Sequence, residues 1–321
     1  MKRKILMIGA GAIGQVYGAH LAAGGADVGV YVRAKHVRAA CEGYALHRLR
    51  RMRAPQTLTF HPSHVVTSLD AVRNEPWDIL MLAVPSDRLD DELLEAVAPR
   101  GKLRRIVTLQ PGFHGISKLT QHVPREKMIT GTVGFIAYHA PLPGEALSKG
   151  VAFYLPPLVK SVFSGEGAEE IVELLNRGGL PAKLSEDARH MMVTSTAVLT
   201  PHIAALEAAN WSFKKLRSSD LLQLANRGTQ EALRACEALD GVDTSIPRRI
   251  LRPALVRVAL RGGSMVFPFN LEAYLAAHYT KVRSQSLQLL SEYIELAHSN
   301  NEGRALEELR GRIRSLPIEL S

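Results

Sequence analysis

The chain has 321 residues, 46% of them hydrophobic, enough for about two domain cores and too apolar for a disordered protein. Its two cysteines, Cys41 and Cys236, lie far apart and outside any Cys-x-x-Cys pair, which excludes a disulfide framework and a thiolate metal site and points to a reducing cytoplasm. Forty Lys and Arg against 31 Asp and Glu leave a net charge of +9, a balance that attracts phosphates and carboxylates without choosing among them.

The opening, MKRKILMIGAGAIG, has the basic-then-apolar order of a signal peptide. Gln15, Tyr17 and His20 interrupt the apolar run and no cleavage site follows, so it reads as mature structure. No apolar run reaches the roughly 18 residues of a membrane span, and neither a membrane partner nor an extracytoplasmic location is expected. KILMI is a buried strand, followed at once by glycines and by AIGQVYGAHLAAGG, which has helical spacing and ends in a glycine pair. DVGVYVR is the second strand. RLRRMR, residues 48–53, is densely basic but carries no interleaved aromatic rings, so it reads as a solvated hairpin and no nucleic-acid partner is expected.

DILMLAV is a third strand, closed by Pro85 and followed by the helical SDRLDDELLEAVA, and RRIVTLQ is a fourth, ending in the turn PGFHG. Alternating strand and helix predicts an α/β protein with a doubly wound, Rossmann-type parallel sheet. KMITGTVGFIAYHA and GVAFYLPPLVKSVFSG read as strands completing or extending that sheet, with the helix GAEEIVELLNRGG after them. At AKLSEDARH the pattern turns helical, with Ser185 as N-cap and Glu186 and Asp187 where the helix dipole favours negative charge. The predicted division is a dinucleotide-binding domain over 1–184 and an all-helical substrate and dimerisation domain over 185–321, paired as a homodimer. Within the second, SSDLLQLANRGTQEALRACEALDG is a helix stopping at Gly241, and HYTKVRSQSLQLLSEYIELAHSNN reads as one long helix. His61 and His64 lack an acidic or thiol partner at ligating spacing, so no metal is predicted.

Gly9, Gly11 and Gly14 form Gly-x-Gly-x-x-Gly directly after a strand and at the opening of a helix, the setting in which this motif marks a dinucleotide site. Gly9 serves the tight turn, Gly11 lets backbone approach a diphosphate, and Gly14 permits close packing of helix on strand. The amides of the first turn, Ala12, Ile13 and Gly14, then face the phosphates. An NAD site places an acidic residue at the end of the second strand, whereas here Arg33 stands there, with Lys35 and Arg38 behind it. A guanidinium at that position suits a 2'-phosphate, so NADPH is the predicted cofactor. Gln110, ending the fourth strand, joins the cofactor-binding set.

On these residues the chain resembles the ketopantoate reductase family: ILMIGAGAIGQVYG at the front, VYVR after the second strand, VLTPHIAAL in the register of that family's Asn-Pro segment, and SQSLQLLSEYIELAHSNN like a late helix. The resemblance implies NADPH-dependent hydride transfer to a carbonyl in a cleft between domains. It also implies a proton-donating lysine on the first helix of the second domain, with asparagines one and two turns onward. Counted back from Pro201, those positions are Met192, Thr196 and Thr200, and none matches. The asparagine expected after the fourth strand is Pro111, and the late-helix glutamate is Gln285.

Met192, Thr196, Thr200 and Gln285 are therefore the expected substrate pocket, and ketopantoate is not the expected substrate. A thioether cannot protonate an alkoxide and threonine is a weak acid, so His202 and Lys281 are the catalytic candidates, Lys281 and Arg283 also offering charge to a substrate carboxylate. Loss of the lysine is less damaging to reduction of an iminium, which arrives already protonated, than to reduction of a ketone. The expected activity is reduction of a small anionic keto acid or of an imine, as in opine-type dehydrogenases. The alternative is a non-catalytic NADPH-binding protein that senses redox state.

Overall fold

A computed structural model describes residues 2–99, 104–112, 114–186, 188–241, 243–245, 256, 260–261 and 266–314. The chain divides into two units, Met1–Arg189 and His190–Ser321.

The first unit holds the strands β1 (Lys4–Ile8), β2 (Asp27–Tyr31), β3 (Tyr44–Arg50), β4 (Arg53–Phe60), β5 (His64–Val66), β6 (Ile79–Leu82), β7 (Arg105–Thr108), β8 (Met128–Thr132), β9 (Ile136–Ala140), β10 (Gly150–Tyr154), β11 (Ser161–Ser164) and β12 (Ala182–Leu184). Its helices are α1 (Ala12–Ala23), α2 (Val37–Glu42), α3 (Leu69–Asn74), α4 (Asp91–Val97), α5 (His114–Thr120) and α6 (Ala168–Arg177). Eight strands form one sheet in the order β12-β11-β8-β7-β6-β1-β2-β5. The run from β5 to β8 is wholly parallel, with β11 antiparallel to β8. This is the doubly wound order, and its topological switch falls between β1 and β6.

The composition of β1 follows from that position. Ile5 and Met7 face a core shared with Val16, Tyr17 and Leu21 of α1 and Ile171 and Leu175 of α6. Leu6 and Ile8 face the opposite core, with Val72 of α3 and Leu93, Leu94 and Val97 of α4. All four β1 side chains are fully buried, so a strand covered on both faces reads as an unbroken apolar run. Each such side chain stabilises the fold by about 1.5–3 kcal/mol.

Two of the late strands do not extend this sheet as the hydrophobic pattern predicts. β8 and β11 do, but β9 and β10 join β3 and β4 in a separate sheet ordered β4-β3-β10-β9. β10 pairs in parallel with β3, Val151 opposite Leu46, across a separation of about a hundred residues that no local pattern encodes. The basic segment is the β3–β4 hairpin turn, where Met52 is 96% exposed with Arg51 and Arg53 also outward.

The described elements of the second unit are helical: α7 (Ala188–Ala208, whose first two residues fall in the first unit), α8 (Phe213–Ser218), α9 (Leu221–Asp240), α10 (Leu271–Lys281), α11 (Arg283–His298) and α12 (Arg304–Arg314). α9 carries its fully buried Leu222, Ala225, Thr229, Ala232, Leu233 and Cys236 on a helical repeat, packs against α11 and α12, and ends at Gly241 with φ +64°. The one long helix expected after residue 278 is instead broken at Val282, which leaves helical geometry at φ −109°, ψ +26°. The break sets Arg283 at the head of α11, where it meets Glu207 and donates to the Ile313 carbonyl; such partners are invisible to helical periodicity. Ser185 is not the N-cap of α7: the helix starts at Ala188, and the Ser185 amide instead donates to the Phe163 carbonyl of β11. The cap position, 187, lies outside the described residues. Among the described residues no helix is long and apolar enough to cross a membrane.

Candidate active site

The β1–α1 turn gives each fingerprint glycine a separate physical task. Gly9 has φ +101°, and a Cβ there would come within 2.7 Å of Val84 Cγ1. A Cβ on Gly14 would collide with the Gly9 carbonyl oxygen, whereas one on Gly11 would meet nothing within 4 Å. Gly11 thus presents bare backbone to open space while Gly9 and Gly14 close the turn behind it. α1 has no side-chain cap and no acidic residue in its first turn, and its first internal bond runs from Gln15 N to Gly11 O at 2.9 Å. The amides of Ala12, Ile13 and Gly14, at the positive end of the helix, are left for an anion. Gln15 Nε2 braces the turn on the Ala10 carbonyl at 2.8 Å.

Beside this turn, the Gly9 amide bonds the carbonyl of Tyr31, the last residue of β2, and Arg33 follows two positions later. Arg33 is exposed, and among the described residues its side chain makes no hydrogen bond or ion pair. Arg38, by contrast, is spent on Glu42 at 2.8 Å. Burial raises the Tyr31 phenol above its ordinary range, Glu92 and Asp90 add to this, and the nearby Arg33 cation works against it.

On the other side of the switch point, Gln110 is 1% exposed just beyond β7. Its Nε2 donates to the Val84 carbonyl at 2.6 Å, while its Oε1 is buried with no hydrogen-bond partner among the described residues. Val84 in turn abuts Gly9, so Gln110 and the glycine turn belong to one assembly. An uncapped helix start, a face of bare backbone, a free guanidinium and an orphaned buried carbonyl together fit a nicotinamide dinucleotide.

In the second unit, Met192 is buried, and its carbonyl accepts from Ser195 Oγ at 2.8 Å and Thr196 Oγ1 at 2.9 Å. Thr196 Oγ1 also lies 2.7 Å from the hydroxyl of Tyr293, which reaches the Val193 carbonyl at 3.1 Å. Either hydroxyl can donate in this contact, through which Thr196 ties α7 to α11. Tyr293 is wholly buried, and burial holds its phenol protonated well above the usual range. Thr200 is buried, and among the described residues its hydroxyl makes no hydrogen bond. Gln285 is half-buried on α11 and Lys281 is exposed at the end of α10.

Two of the expected groups have partners within the second unit. His202 Nδ1 donates to the Val198 carbonyl at 2.8 Å and also contacts Thr229 Oγ1 at 3.2 Å, and desolvation lowers its pKa. The Val198 carbonyl can only accept, so Nδ1 carries the proton of that bond, and Nε2 is buried with no hydrogen-bond partner among the described residues. Arg283, also expected to offer charge to a substrate carboxylate, has its Nε 2.6 Å from Oε1 of the buried Glu207. Sequence reasoning passed over Glu207 and Tyr293; a carboxylate and a phenol within apolar helical stripes are the signals that mark them.

Residues 5–152 match the family model for ketopantoate reductase PanE/ApbA. Over that segment, a little under half of its length, the chain is similar to ketopantoate reductases. Solved structures that share its fold include a D-mandelate dehydrogenase with NADH and anilino(oxo)acetate, at 14% identity and a TM-score of 0.73 over 97% of either chain. They also include the 2-dehydropantoate 2-reductase of Geobacter metallireducens GS-15, at 17% identity and a TM-score of 0.70 over 97% of this chain and 99% of that one. A PanE/ApbA family ketopantoate reductase from Ralstonia eutropha JMP134 aligns at 18% identity and a TM-score of 0.69 over 97% of either chain. No curated protein sequence matches. The chain thus shares the fold of these structures over nearly the whole length of each.

Proposed function

We propose that the protein is an NADPH-dependent reductase acting on a small anionic keto acid or imine other than ketopantoate. The observation that carries this is the pairing of the open Gly11 backbone with the unpaired Arg33 guanidinium at the end of β2. The amides of Ala12, Ile13 and Gly14 hold the diphosphate, and Arg33 holds the 2'-phosphate. The cofactor supplies a hydride to an electrophilic carbon. The likeness to a dehydrogenase solved with an oxo acid supports a carboxylate-bearing substrate.

The groups of α7 favour C=N over C=O. Met192 carries no proton, Thr196 is engaged with Tyr293, and His202 has Nδ1 committed to Val198 and its pKa lowered by burial. An iminium ion needs no proton from these groups as it is reduced. NADPH oxidation should therefore be measured with a panel of 2-keto acids, with and without ammonium or a primary amine. The reading expects turnover that requires the amine, and turnover with NADH but not NADPH overturns it. The same proton-poor helix favours a second reading, an NADPH-binding redox sensor, which predicts tight binding and no turnover across the panel.

A further inference from the structure

We infer that Gln110 is the positioning residue for the nicotinamide half of the dinucleotide, its Oε1 accepting a hydrogen bond from a hydroxyl of the nicotinamide-side ribose; this rests on the NADPH reading above. The amide orientation is fixed by its partner: the Val84 carbonyl can only accept, so the group 2.6 Å from it must be Nε2. Oε1 is consequently turned away from Val84, and it is buried without a donor. A buried carbonyl in that condition is destabilising unless something supplies an N–H or O–H, and Gln110 is 1% exposed.

The sheet order says what supplies it. In the sequence of neighbours β7-β6-β1-β2, the diphosphate site lies at the carboxyl end of β1 and Arg33 lies beyond β2. The adenosine therefore extends over β2, and the other half of the molecule over β6 and β7. Gln110 stands beyond β7, two strands or about 10 Å from β1, which is the reach of the sugar attached to the second phosphate. That sugar carries two hydroxyl donors. Val84 links the two ends mechanically, since its carbonyl holds Gln110 and its side chain rests on Gly9.

The test compares dissociation constants of the full-length protein for NADPH and for adenosine 2',5'-bisphosphate, which has the adenosine end and no second ribose. Gln110→Leu should weaken NADPH about ten-fold, the size of one lost hydrogen bond, and leave the bisphosphate within two-fold. On the wild-type protein, NADPH analogues lacking the 2'- or the 3'-hydroxyl of the nicotinamide ribose should show the same ten-fold loss for one of the two, whether or not the variant folds. Equal weakening of both ligands, or no loss with either analogue, overturns the inference and leaves Gln110 as a strut for Val84. Wild-type protein that binds the bisphosphate no better than unphosphorylated adenosine overturns the NADPH reading itself.

Discussion

Gly14 packs so closely on Gly9 that a Cβ at position 14 would overlap the Gly9 carbonyl oxygen, whereas Gly11, between them in the chain, faces open space. The two positions should fail differently. Gly14→Ala forces backbone apart and should destabilise the protein by about 1–3 kcal/mol or more, seen as a lower midpoint in urea. Gly11→Ala should leave that midpoint unchanged and weaken NADPH at least ten-fold in calorimetric titration. A Gly11→Ala protein that binds normally would mean that no ligand approaches this backbone.

On the proposed reading, coenzyme choice turns on Arg33. Arg33→Ala removes charge-assisted hydrogen bonds worth about 1.5–3 kcal/mol and should raise the dissociation constant for NADPH by roughly 10- to 100-fold while shifting NADH less than two-fold. Fluorescence titration of both coenzymes against both proteins measures it, and a parallel loss of the two would assign Arg33 to some other task.

Stability should fall early on acidification. His278, stacked on Tyr274 at 5.5 Å, has its pKa brought down to about 4 by burial, with Lys281 adding to the effect. Burial also lowers His20 and His202. The unfolded chain takes up these protons near the ordinary value of about 6.5, and the folded chain refuses them until lower pH. The unfolded state thus binds more protons in that window, so stability is fully present above pH ~6.5 and declines as pH drops toward 4. Urea midpoints at pH 7, 6 and 5 should show the decline, and His278→Gln should make it shallower by up to one proton.

The Glu207–Arg283 pair joins α7 to α11 in the second unit, with Glu207 raised by desolvation against the pull of Arg283. Arg283→Met strands a buried carboxylate and should cost about 3–5 kcal/mol. Glu207→Met with Arg283→Met removes both charges and should recover most of that loss in a double-mutant cycle. Equal destabilisation of the single and double variants would show that packing of the arginine stem, and not its charge, holds the helices.

Much of the nucleotide half of the candidate site was legible because its causes are local. The strand, the three glycines, the uncapped helix start and Arg33 lie within 33 residues, and each residue type answers to its own backbone or to the adjacent turn. The end of α9 at Gly241 was legible for the same reason, since a left-handed cap is a one-residue event. The helical half was not. That Thr196 is held by Tyr293, nearly a hundred residues on, and that Arg283 is taken by Glu207, are contacts between helix faces whose partners periodicity does not name.

Period and punctuation along the chain determined the element types, the parallel β-α alternation and the glycine turn after β1, because a backbone's hydrogen-bonding repeat and its tolerance for glycine are set within a few residues. Tertiary structure alone decided that β9 and β10 leave the main sheet for β3 and β4, that one expected helix breaks at Val282, and that His202 is desolvated against Val198 and Thr229. Sheet membership, helix breaks and protonation all depend on which distant groups displace water around a residue, and that is a property of packing.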